Sequence, residues 1–102
     1  MHLMQIFLPV RDNNGKTFPK DNYSSIGEAL TKKFGGLTSY TRAPAEGLWK
    51  DERNGAHHDD IVIFEVMAAE LDGLWWQAYK QQLKQTFSQD EIIIRVQKIL
   101  LL

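Results

Sequence analysis

An α+β fold of six elements in the order β-α-β-β-α-β is what this sequence predicts, and three observations carry the prediction. Short apolar, β-prone runs occur at residues 2–10, Leu37–Arg42, Ile61–Met67 and Ile92–Val96. Two stretches of helical spacing separate them, one built on Tyr23, Ile26, Leu30 and Phe34 and the other covering residues 70–88. Glycine punctuates the junctions, as Asn14-Gly15, Gly35-Gly36 and Asn54-Gly55. This order of elements is the split βαβ, ferredoxin-like arrangement. It implies one antiparallel sheet in the order 4-1-3-2 with two helices on one face, in a single domain over residues 1–102.

Each element has local reasons. In the first strand Pro9 falls near the end, where a strand tolerates proline. Arg11 to Lys16 is a polar turn, with Gly15 suited to positive φ. Two starts compete for the first helix: Pro19 as a first-turn proline, or Ser25 with Glu28 as a capping box. The Gly35-Gly36 pair supplies its left-handed C-cap. The second strand carries Leu37 to Arg42 and resumes at Leu48, broken by Ala43-Pro44-Ala45-Glu46-Gly47, as suits a sheet edge. Asn54-Gly55 reads as a hairpin turn into the strongest strand, Ile61 to Met67.

Composition narrows function mainly by exclusion. Twelve basic and thirteen acidic residues among 102 give a net charge of −1, so no basic excess draws the chain to nucleic acid or anionic lipid. The chain has no cysteine, which removes disulfides, thiolate metal sites and cysteine nucleophiles. Its first residues are a poor signal peptide and too short to span a bilayer, so a cytoplasmic location is expected. His57-His58-Asp59-Asp60 suggests metal ligands, but adjacent strand residues point to opposite faces and cannot all converge. Neither a metal nor a cofactor is expected.

Strand alternation separates two faces. One carries Met4, Ile6, Leu8, Val62, Phe64, Val66, Ile92, Ile94 and Val96, all apolar, and is the face for the helices. The other carries Leu3, Gln5, Phe7, Ile61, Ile63, Glu65, Met67, Ile93, Arg95 and Gln97. That face is too apolar for water, and a second copy packing on it is the expected cover, making a homodimer. Gln5, Glu65 and Arg95 fall in one row across it. They form either a structural ion pair of Glu65 and Arg95 bridged by Gln5, or the lining of a ligand cavity. The second helix is rich in aromatics: Trp75 and Tyr79 share a stripe with Leu71 and Leu83, while Trp76 and Phe87 widen it as extra core or, for Trp76, a dimer contact.

The stretch from Phe34 to Lys50 is where a site is expected. Tyr40 and Arg42 share a strand face, and the following break aims Glu46 across them. In that reading Arg42 grips a carboxylate, Trp49 stacks on an apolar ring, and Tyr40 or Glu46 exchanges a proton. In the competing reading the segment is a bulged edge strand anchored on a partner chain by Trp49.

Residues 5–9, 34–50, 60–67 and 75–79, including Trp75-Trp76-Gln77-Ala78-Tyr79, resemble a family of small uncharacterised bacterial proteins. At fold level the domain is similar to the dimeric α+β barrel group, in which two ferredoxin-like domains join sheets. That resemblance implies a homodimer and carries over no reaction. The function expected from the sequence is therefore a homodimeric binding or interaction module of unknown activity. The alternative is a cofactor-free small enzyme, monooxygenase- or isomerase-like. It would act on an anionic or aromatic metabolite held by Tyr40, Arg42, Glu46, Trp49, Glu65 and Arg95.

Overall fold

A computed structural model of the chain describes residues 1–42 and 61–102. Its elements are β1 (His2–Pro9), α1 (Lys20–Phe34), β2 (Thr38–Arg42), β3 (Ile61–Ala68), α2 (Gly73–Thr86) and β4 (Ile93–Lys98). The four strands form one sheet in the order β2-β3-β1-β4, the expected order read from the other edge. All three pairings are antiparallel.

The sheet's apolar face and both helices enclose one core. Met4, Ile6 and Leu8 of β1 are fully buried against Ile26 and Leu30 of α1 and Trp76 and Leu83 of α2, with Phe64, Val66, Phe87 and Ile92 completing the cluster. Burying each such side chain contributes roughly 1.5–3 kcal/mol. Trp76 is therefore core and not an outward contact. Its indole stacks on Phe34 with ring centres 5.4 Å apart, which ties the last turn of α1 to the first turns of α2. Trp75 stacks on Tyr79 at 4.8 Å, and the Lys33 ammonium lies 4.4 Å above the Trp75 ring. Burial pushes the Tyr79 hydroxyl above its usual pKa.

The competing starts of α1 resolve at Pro19, whose carbonyl accepts the first helical bond from Asn22 N–H. Tertiary contacts decide the choice. Phe18 meets Phe87 edge-on at 5.0 Å, and the Tyr23 hydroxyl donates to the Pro9 carbonyl, so the first turn has partners that a start at Ser25 would forfeit. Gly35 ends the helix at φ 81°, its N–H bonded to the Thr31 carbonyl. A side chain is rarely stable at that angle, which explains the glycine. At the start of α2 the Asp72 carboxylate accepts from Trp75 N–H at 3.1 Å, so the helix begins later than the apolar pattern suggests.

Candidate functional site

The register places a polar row across the second face of the sheet. Thr38 of β2 stands opposite Glu65 of β3, Glu65 opposite Gln5 of β1, and Gln5 opposite Arg95 of β4. Beside it runs a second row of Tyr40, Ile63, Phe7 and Ile93. Ile63 is buried although it faces away from the helices.

Glu65 is the centre of this arrangement. Its Oε1 accepts from the Gln5 amide at 2.9 Å and from the Tyr40 hydroxyl, one register step away on β2, at 2.6 Å. Among the described residues nothing donates to Oε2. Glu65 is half-buried, so this second oxygen is available in a site only partly open to water.

The direct Glu65–Arg95 ion pair expected from the sequence is not what forms. Arg95 lies two interstrand spacings from Glu65, about 10 Å of backbone, with β1 between them. The Arg95 guanidinium instead sits over the Phe7 ring, 4.6 Å from its centre. Gln5 contacts the acid on one side only.

A cleft of about 410 Å³ opens where the end of α1 meets the sheet. Leu3, Glu65 and Met67 line it from the second face of the sheet, and Phe34, Gly35, Gly36, Leu37 and Thr38 line it from the α1–β2 junction. That volume suits a ligand of drug or nucleoside size, and a mostly apolar wall with one fixed acid is the usual make-up of such a site. At Gly36 there is open space where a Cβ would stand, so backbone is exposed to an occupant.

Of the residues singled out from the sequence, Tyr40 and Glu65 meet, and Arg95 stands apart on the same face. Arg42 closes β2 opposite Ile61, while Glu46 and Trp49, like the His57-to-Asp60 run, lie outside the described residues. The junction Phe34 to Thr38, the start of the stretch where a site is expected, lines the cleft, and Gln5 of the polar row joins Glu65. Gln5's part follows from its place directly opposite Glu65. The glycine pair flagged the junction, but the cleft depends on contacts thirty residues apart. Among the described residues no group of His, Asp and Glu is arranged to hold a metal ion. No described helix is long and apolar enough to cross a membrane.

No family model matches the chain, so the resemblance to a bacterial family gains no support there. No curated protein matches it either. Among solved structures, a phage SAM lyase in complex with S-methyl-5′-thioadenosine shares the fold. It is 18% identical, with a TM-score of 0.62, over 95% of this chain and 80% of that one. A phage SAM lyase in the apo state gives 14% identity and a TM-score of 0.61, over 94% of this chain and 78% of that one. These findings overturn the expectation of an interaction module of unknown activity. The fold neighbours carry a specific enzymatic function and one holds a small ligand. Residue patterning could not reach this, because the chain offers no motif for that ligand and the likeness lies in the path of the backbone.

Proposed function

We propose that this domain binds an adenosyl thioether or sulfonium compound in the cleft between the end of α1 and β3, and that it cleaves SAM as a lyase. The observation that carries the reading is Glu65: a carboxylate fixed through one oxygen by Tyr40 and Gln5, with the other accepting from none of the described residues, in the wall of a cleft large enough for a nucleoside. A fixed acid is a suitable acceptor for the two hydroxyls of a ribose, a role that carboxylates also fill in dinucleotide sites. The apolar wall of Leu3, Phe34, Leu37 and Met67 suits the thioether and the base. The shared fold with SAM lyases supports the choice of ligand.

The lyase step breaks the bond between the sulfonium sulfur and the γ-carbon of the amino-acid arm. The electron pair goes to sulfur, which becomes the neutral thioether S-methyl-5′-thioadenosine. The γ-carbon gains its new bond within the arm, either to the carboxylate oxygen or as a double bond to the β-carbon whose proton passes to solvent, and no water is added. Positive charge disappears from sulfur as the bond breaks. A site of low polarity around the sulfur favours such a step, because water stabilises the charged reactant more than the transition state.

The second face also supports association with another copy. Met67 is 46% exposed and Ile93 52% exposed there, an amount of open apolar surface that monomers tend to cover. A monomer mass in light scattering at micromolar concentration would remove that part of the reading.

Calorimetric titration with S-methyl-5′-thioadenosine, and chromatography of SAM incubated with the protein, test the function. Saturable binding and release of S-methyl-5′-thioadenosine are expected, with both lost by at least about tenfold in Glu65→Gln, the effect of one charged hydrogen bond. Intact SAM after prolonged incubation, together with no binding heat, would overturn it.

A further inference from the structure

The polar row ends on β4 in the cation Arg95. Among the described residues Arg95 has no carboxylate partner; its one contact is the Phe7 ring beneath the guanidinium. A free surface arginine samples many rotamers, whereas one held over an aromatic face is restrained by attraction between cation and ring. An arginine held in this way keeps the planar fork of N–H donors that suits a carboxylate. The acid of the row and this cation share one face and are separated by about 10 Å, two interstrand spacings. That is the scale of the span between a ribose and the far end of a short chain attached to its 5′ position.

We infer that Arg95, braced by Phe7, is the subsite for the carboxylate of a zwitterionic amino-acid arm, at the opposite end of the ligand from Glu65. The inference rests on the proposed nucleoside reading and deepens it. It states why the site would prefer a ligand with an amino-acid arm over the thioether that lacks one. Gln5, between the two, keeps its amide on Glu65. Ile93 and Leu3 flank the path and offer its methylene groups apolar surface.

Two ligands separate this subsite from the reading beneath it. S-methyl-5′-thioadenosine has no arm; S-adenosylhomocysteine carries the arm with its carboxylate and, lacking the sulfonium, is not cleaved by loss of a neutral thioether. Both are titrated calorimetrically into the wild-type chain and into Arg95→Gln. The expected result is that Arg95→Gln weakens S-adenosylhomocysteine by about 10- to 100-fold, the range for a hydrogen-bonded charge, and leaves S-methyl-5′-thioadenosine within about twofold. Arg95→Lys retains charge without the fork and is expected to fall between; it also serves if Arg95→Gln does not fold. Equal affinities for S-adenosylhomocysteine in wild type and variants overturn the carboxylate subsite and leave the nucleoside reading standing. A parallel loss of both ligands overturns it as well, since Arg95 would then shape the face in general. Failure of the wild type to bind either ligand overturns the nucleoside reading and the subsite together.

Discussion

On the helix-covered face of the sheet, Met4, Ile6, Leu8, Phe64 and Val66 are buried, and the helices add Leu30, Leu83 and Phe87 to the same cluster. On the other face the same strands leave Met67 and Ile93 about half exposed and carry Gln5, Glu65 and Arg95. The first face is a folding device. Every buried position on it is apolar, so a wrong partner there costs only packing. The second face gives up that driving force in return for placed polar groups. Glu65 with its two donors is costly to hold half-buried, and stability alone would be served as well by an aliphatic residue. The difference separates positions that hold the fold from those available for a ligand.

The comparison can be broken most directly by truncation on each face. Phe87→Ala removes a fully buried ring that contacts Phe18 and Tyr23, and should cost about 3–5 kcal/mol in urea unfolding. Ile93→Ala, on the exposed edge of the second face, should cost under about 1 kcal/mol in the isolated chain. Similar losses at the two positions would mean that the faces do not differ in this way.

A smaller effect sharpens the account of the polar row. Gln5→Leu should leave the fold intact at a cost of about 0.5–1.5 kcal/mol, because Tyr40 still donates to Glu65. Paired with Glu65→Leu in a double-mutant cycle, it should show coupling of about 0.5–3 kcal/mol, and the double variant should be more stable than Glu65→Leu plus Gln5→Leu added together. Strict additivity would mean that the hydrogen bond contributes nothing.

The smallest expected effect concerns pH, away from both faces. The Lys80 ammonium, 2.8 Å from Glu91, and the Ile92 N–H hold the Glu91 carboxyl below its usual pKa, with Lys84 adding to the pull. A depressed carboxyl stabilises the fold above its unfolded pKa, and the contribution is lost as pH falls through the folded value. Because Glu91 lies at the surface, the effect on melting temperature between about pH 5 and 3 should be slight and should fade in high salt. Glu91→Gln should flatten that part of the curve; an unchanged slope would show the pair to be without influence.

Much of the fold was legible because its signals are local. The alternation in Ile61 to Met67, the spacing of Ile26 and Leu30, and the glycine that ends α1 at a positive φ each depend on a few consecutive residues. The polar row was legible too, since strand alternation puts Gln5, Glu65 and Arg95 on one face. Who pairs with whom was not. Pairing depends on register and on side-chain reach across strands, so Arg95 turns to Phe7 while Tyr40, a residue of the far edge, takes the oxygen of Glu65.

The sequence by itself determined the six elements, their order, the apolar face and the edge position of β2, because periodicity and turn chemistry act over short range. Tertiary structure alone decided that α1 begins at Lys20 behind Pro19 and not at Ser25, that Trp76 faces inward, and that a cleft joins Glu65 to the α1–β2 junction. These three depend on surfaces brought together from distant parts of the chain. Phe87 waits nearly seventy residues for Phe18, and the residues at the mouth of the cleft come from β1, α1, β2 and β3. Local pattern carries no record of such meetings, since many sequences with the same periodicity would place different side chains there.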